Sequence, residues 1–74
     1  MNIAEKIFSR YDANLKIVEI LGDLVATYPD WRFQQILQNI DITSRDGKDL
    51  FYEESIDTLN EVLKNPIVRS IISD

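Results

Sequence analysis

From Ala4 to Val25 the apolar residues recur at steps of three and four: Ala4, Ile7, Phe8, Tyr11, Leu15, Val18, Leu21 and Val25. Such spacing stacks side chains along one face of an α-helix, and the two-residue period of a strand does not fit it. The phase is unbroken, so the pattern predicts one long helix. Asp12-Ala13-Asn14 is its weakest stretch and the expected place for a kink or fray, and a break into two helices there stays open. Asn2 is placed to cap the start, with Glu5 three residues on to complete a capping box. Gly22 costs about 1 kcal/mol relative to alanine inside a helix. It implies either a close crossing by another backbone or a tolerated defect. Tyr28 precedes Pro29, which disfavours helix at Tyr28 and ends the segment.

The rest of the chain reads as shorter helices between polar loops. Asp30 is a good N-cap for a second helix, in which Phe33, Ile36, Leu37 and Ile40 share one face opposite Gln34, Gln35 and Gln38. Asp46-Gly47 is a turn signal. Leu50-Phe51-Tyr52 is too short to build a sheet and reads as a loop pinned to the core. Ser55 is a candidate cap for a third helix carrying Ile56, Leu59, Val62 and Leu63. Asn65-Pro66 closes that helix and opens a last one, with Asn65 as cap and Pro66 at the first helical position, where its missing N–H costs nothing. Ile67, Val68, Ile71 and Ile72 crowd this final helix and must pack on something. The expected fold is all-α, a small bundle in a single domain over residues 1–74. It has a long N-terminal helix, two further main helices and a short C-terminal one, with no sheet.

Composition removes several chemistries. Among 74 residues there is no cysteine and no histidine. Disulfides, thiolate metal sites and histidine-based nucleophilic catalysis are therefore excluded, and no cofactor is expected. Two glycines leave no glycine-rich phosphate loop. The net charge of −5 is concentrated after residue 40, where eight acidic side chains face four basic ones. No basic stripe exists to neutralise phosphates, so direct nucleic-acid binding is not expected. Apolar runs fall short of the ~20 residues that span a bilayer, so no membrane association is expected. The opening Met1-Asn2-Ile3-Ala4-Glu5 lacks a basic region followed by an apolar run, and the cytoplasm is the expected compartment.

The run Pro29-Asp30-Trp31-Arg32-Phe33-Gln34-Gln35-Ile36-Leu37-Gln38-Asn39, followed by Phe51-Tyr52-Glu53-Glu54, resembles a group of small bacterial and prophage proteins of unknown function. Their pattern is Pro-Asp-x-Arg-Phe-x-Gln-Leu-Leu-x-Asn, a short loop, then Phe-Tyr-x-Glu-Asp and a closing helix. The similarity covers roughly residues 15–63 and departs at Gln34, where the group has glycine, and at Ser55, where it has aspartate. The resemblance implies a fold and a bacterial or phage setting, and brings no activity, cofactor or ligand with it.

Three classes of function follow. The first is a protein-interaction module without catalytic activity, with Trp31, Arg32, Glu54, Asp57 and Glu61 as candidate partner-binding residues. Trp and Arg dominate binding hot spots. The acids Asp49, Glu53, Glu54, Asp57 and Glu61, uninterrupted by a basic residue between Lys48 and Lys64, would suit a basic protein partner or simply form a solvated face. Trp31, Phe33, Phe51 and Tyr52 read first as core residues and only second as contacts. The second class is a purely structural self-associating domain, a homodimer through Ile67, Val68, Ile71 and Ile72 and the uncovered part of the long stripe. The third is a small metal-binding or enzymatic protein using the acidic cluster of residues 49–61. Calcium fits it poorly, because an EF-hand register anchored on Gly47 puts Ile42 where the first aspartate is required.

Overall fold

The computed structural model describes residues 3–72, with side chains from Ser9 onward. Four helices follow one another: α1 (Ile3–Thr27), α2 (Phe33–Asn39), α3 (Ser55–Lys64) and α4 (Pro66–Ile72). Between α2 and α3 lie two two-residue strands, β1 (Ser44–Arg45) and β2 (Lys48–Asp49). The all-α bundle expected from periodicity is the observed fold, with this miniature hairpin as its only sheet among the described residues. The α1 helix is continuous through Asp12-Ala13-Asn14. The Asn2 cap and its Glu5 partner lie outside the residues whose side chains are described.

Ile20 and Leu24 from α1, Ile36 from α2, Ile40, Val62 from α3 and Val68 from α4 form one buried cluster. Each helix thus contributes to the same core. The face that α1 offers differs from the one its longest apolar stripe suggested. Ala13, Ile20 and Leu24 are buried, whereas Tyr11, Leu15, Val18 and Val25 are 61%, 52%, 62% and 47% exposed. The contacting face is rotated by about half a turn from the expected one. Length leaves the other face uncovered: α1 runs for about 37 Å at 1.5 Å per residue, against the 41 Å long axis of the molecule. Helices of ten and seven residues cover only one sector of it.

No atom lies within 4 Å of the position a Cβ would take at Gly22, so no other element of the chain crosses there. Gly22→Ala is accordingly expected to raise stability by about 1 kcal/mol in dilute solution. Urea unfolding checks this, and a loss of stability would show that the bare position is used in a contact.

The connections follow local chemistry. Tyr28-Pro29-Asp30-Trp31 forms a turn closed by the Trp31 N–H on the Tyr28 carbonyl at 3.1 Å. The turn stacks the two rings at 4.0 Å and 8°. Asp30 therefore sits in the turn and does not cap α2. That position falls to Arg32, whose backbone N–H is met by the Gln35 side chain at 2.8 Å. The end of α2 is a Schellman motif: the Ile42 N–H reaches the Leu37 carbonyl at 3.2 Å and the Asp41 N–H the Gln38 carbonyl at 3.1 Å. Asp41 adopts φ +56° there, a role more often filled by glycine. Asp46 and Gly47 both have positive φ, which suits a two-residue hairpin turn, and Arg45 pairs with Lys48 across it. The N-cap of α3 is Glu54 rather than Ser55. Asn65 caps α4 as expected: its Oδ1 accepts from the Ile67 N–H at 2.9 Å, and its Nδ2 donates to the Asn39 carbonyl at 3.0 Å, tying α4 to the end of α2.

Candidate interaction surface

The most unusual feature of the surface is made by three successive local constraints. The Leu50 N–H donates to the Thr43 carbonyl at 3.2 Å and extends the hairpin by one rung. Asp49 Oδ1 then accepts from the Phe51 N–H at 3.1 Å, an Asx turn. The Glu53 N–H closes Leu50-Phe51-Tyr52-Glu53 on the Leu50 carbonyl at 3.0 Å. Phe51 and Tyr52 are the two corner residues of that turn, and its corners face water. Phe51 is 82% exposed and Tyr52 94%, their rings meeting edge to face at 4.9 Å. Only Leu50 of the three is half-buried, so the expected apolar anchor is one residue and the two aromatics are display. Turn corners are ordinarily filled by Gly, Pro, Asn, Asp or Ser.

The turn is held from behind by a charged clamp. Arg45 Nη1 and Nη2 donate to Glu53 Oε2 and Oε1 at 2.6 and 3.2 Å, and the Thr58 hydroxyl donates to Glu53 Oε1 at 2.7 Å. Both partners of the ion pair are largely shielded from solvent. Hydrogen bonds from Arg45 and then Thr58 hold the Glu53 carboxyl below the usual carboxylate range, and burial opposes them. Arg45 is raised in return. A second fork joins α1 to the start of α3, where Arg10 Nε and Nη2 donate to Glu54 Oε1 and Oε2 at 2.8 and 3.0 Å. This pair is half exposed.

These two forks change the reading of the acidic face. Glu53 precedes α3 and is paired with Arg45, and Glu54 is paired with Arg10, so only part of the acidic run is left as an open acidic face. Asp57 is exposed on the first turn of α3, and Glu61 lies 3.4 Å from Lys64. Among the described residues no three acidic side chains converge as a metal site. Trp31 is half-buried under its stack with Tyr28 and packs against the core. Arg32 is exposed, and its guanidinium makes no hydrogen bond or ion pair to a described residue. Phe33, expected in the core, is 54% exposed: α2 begins two residues later than an Asp30 cap would place it, with Phe33 as its first residue, and it is Ile36 and then Ile40 that turn inward. In α4, Val68 is buried and Ile67 and Ile71 pack against the core cluster, which leaves Ile72 as the exposed member of the expected self-association stripe.

Arg10 and Arg45 are the side chains that residue-by-residue reading overlooked. Neither carries a sequence signal, since their partners lie 44 and eight residues away. A shallow surface depression of about 650 Å³ is lined by Ile42, Thr43, Asp49, Leu50, Phe51 and Tyr52. No described helix is long and apolar enough to cross a membrane. No known protein family matches the chain, and neither does any curated protein or solved structure.

Proposed function

We propose that the chain is a protein-interaction module without catalytic activity, working in the cytoplasm of a bacterium or for a phage, and that Phe51 and Tyr52 are its contact tip. The bacterial or phage setting rests on the resemblance of residues 15–63. The observation that supports the contact reading is the exposed aromatic pair on a pinned turn. Aromatic rings supply large, rigid contact area at low entropic cost, and exposing two of them at adjacent corners forgoes burial that a core position would give. Arg45, Glu53 and Thr58 fix the turn before binding, which lowers the ordering cost of association. The module also self-associates, as a homodimer.

The test is a photo-crosslinking residue in place of Thr43, which is exposed beside Phe51 and Tyr52, compared with and without Phe51→Ser and Tyr52→Ser, in a bacterial host. Both substitutions are fully exposed, so the circular dichroism spectrum and melting temperature should stay within the ~0.5 kcal/mol typical of surface changes. The crosslinked partner should vanish, since losing hot-spot residues commonly costs 2 kcal/mol or more, about 30-fold in affinity. Capture of the same partner by the folded double variant would overturn the assignment.

A further inference from the structure

We infer that two copies of this chain pair through the outer face of α1, parallel and in register, along a seam of Tyr11, Leu15, Val18, Gly22 and Val25. The inference rests on the self-association reading above and specifies its face and geometry. The residues are spaced four, three, four and three apart, the heptad alternation that keeps a stripe facing a partner helix. The same spacing runs back in the sequence to Phe8 and Ala4. The four side chains with bulk are 47–62% exposed although they stand on a helix whose other side is fully engaged by the core. No charged residue interrupts the stripe, and Gly22 has open space above it, so a second backbone can come close there.

A second copy fits this face better than an unrelated occupant because the stripe is self-complementary and its flanks choose an orientation. Asp12 and Glu19 border one side, and Asn14 and Leu21 the other. An antiparallel pair would set the acidic border of one copy against that of the other, with Asp12 facing Glu19 or Glu19 facing itself. A parallel pair sets Asn14 of one copy beside Glu19 of the second, where the amide can donate to the carboxylate, and Leu21 beside Ala26. Lys16, 3.6 Å from Glu19, stays on the outer side of that border. The exposed parts of the four side chains amount to roughly 400 Å² per copy. Pairing therefore removes at most about 800 Å² from these residues, and burial of the flanking residues must supply the other ~400 Å² needed for the ~1,200 Å² at which stable interfaces begin.

The absence of cysteine from the chain makes the geometry directly testable. Sedimentation of the full chain across a concentration series should give a dimer mass at tens of micromolar, and Val18→Glu should give a monomer with an unchanged helical spectrum. Under mild oxidation Val18→Cys should form a covalent dimer, because in-register pairing sets residue 18 opposite itself. A mixture of Tyr11→Cys and Val25→Cys should form no mixed product. A monomer at every concentration overturns the self-association reading together with this one. A dimer that survives Val18→Glu and does not crosslink at position 18 overturns only the α1 seam. A mixed product between positions 11 and 25 overturns the parallel arrangement.

Discussion

Leu24→Ala is expected to leave the chain largely unfolded at 37 °C, whereas Leu15→Ala on the same helix should cost less than about 1 kcal/mol. Leu24 is fully buried where α1 meets the other three helices, and Leu15 is 52% exposed. Truncating a buried leucine removes its transfer energy and leaves a cavity, together ~2–5 kcal/mol. A domain of this size has about 3–5 kcal/mol of net stability from its core, so that loss removes most of it. Truncating the exposed leucine changes little burial and, relative to leucine, slightly favours helix. Thermal melts followed at 222 nm in dilute solution distinguish the two. An intact Leu24→Ala variant beside an unfolded Leu15→Ala one would place the other face of α1 in the core. If α1 pairs with a second copy, the small Leu15→Ala effect should grow with protein concentration.

The contrast between these leucines shows what the sequence made legible. Helix existence and the breaks at Tyr28-Pro29 and Asn65-Pro66 followed from periodicity and from stop signals, which act locally and need no partner. The starts of α2 and α3, by contrast, fell to Arg32 and Glu54 and not to the expected caps. Which face of α1 is buried did not follow. Tyr11, Leu15, Val18 and Val25 form one helical stripe, and Ala13, Ile17, Ile20 and Leu24 form another with the same alternation of four and three. Local periodicity assigns both to helix and cannot rank them. The choice is made by Val62 and Val68, which reach one sector of α1 from the far end of the chain.

The candidate surface was less legible still. Phe51 and Tyr52 look like core residues by composition. Their display follows from an Asx turn at Asp49 and a clamp between Arg45, Glu53 and Thr58, three contacts that only the folded chain brings together. The run of acids after residue 48 was visible at once, but its neutralisation was not, because Arg10 and Arg45 come from α1 and β1. Turn chemistry at Asp46-Gly47 was readable because its left-handed backbone selects residue type directly.

The clamp also sets how the fold responds to acid. Glu53 is held in its charged form by hydrogen bonds from Arg45 and Thr58, so its folded carboxyl lies below the ordinary glutamate value of 4.5. Above that value the carboxyl is ionised in both the folded and the unfolded chain, and the stabilisation is fully present. As pH falls below 4.5, the unfolded chain binds the proton first, and the contribution of the clamp declines until the folded carboxyl is protonated as well. Glu53→Gln should therefore cost about 1.5–3 kcal/mol at pH 7, the usual worth of a hydrogen bond to a charged group. The difference from the wild-type chain should shrink steadily between pH 5 and the acid limit in urea melts. Arg45→Met removes the cation and leaves the carboxylate among shielded neighbours, where burial raises its proton affinity. That variant should lose more than Glu53→Gln at pH 7 and recover part of the loss on acidification. A Glu53→Gln variant whose stability runs parallel to that of the wild type at every pH would show that the clamp does not govern the acid response.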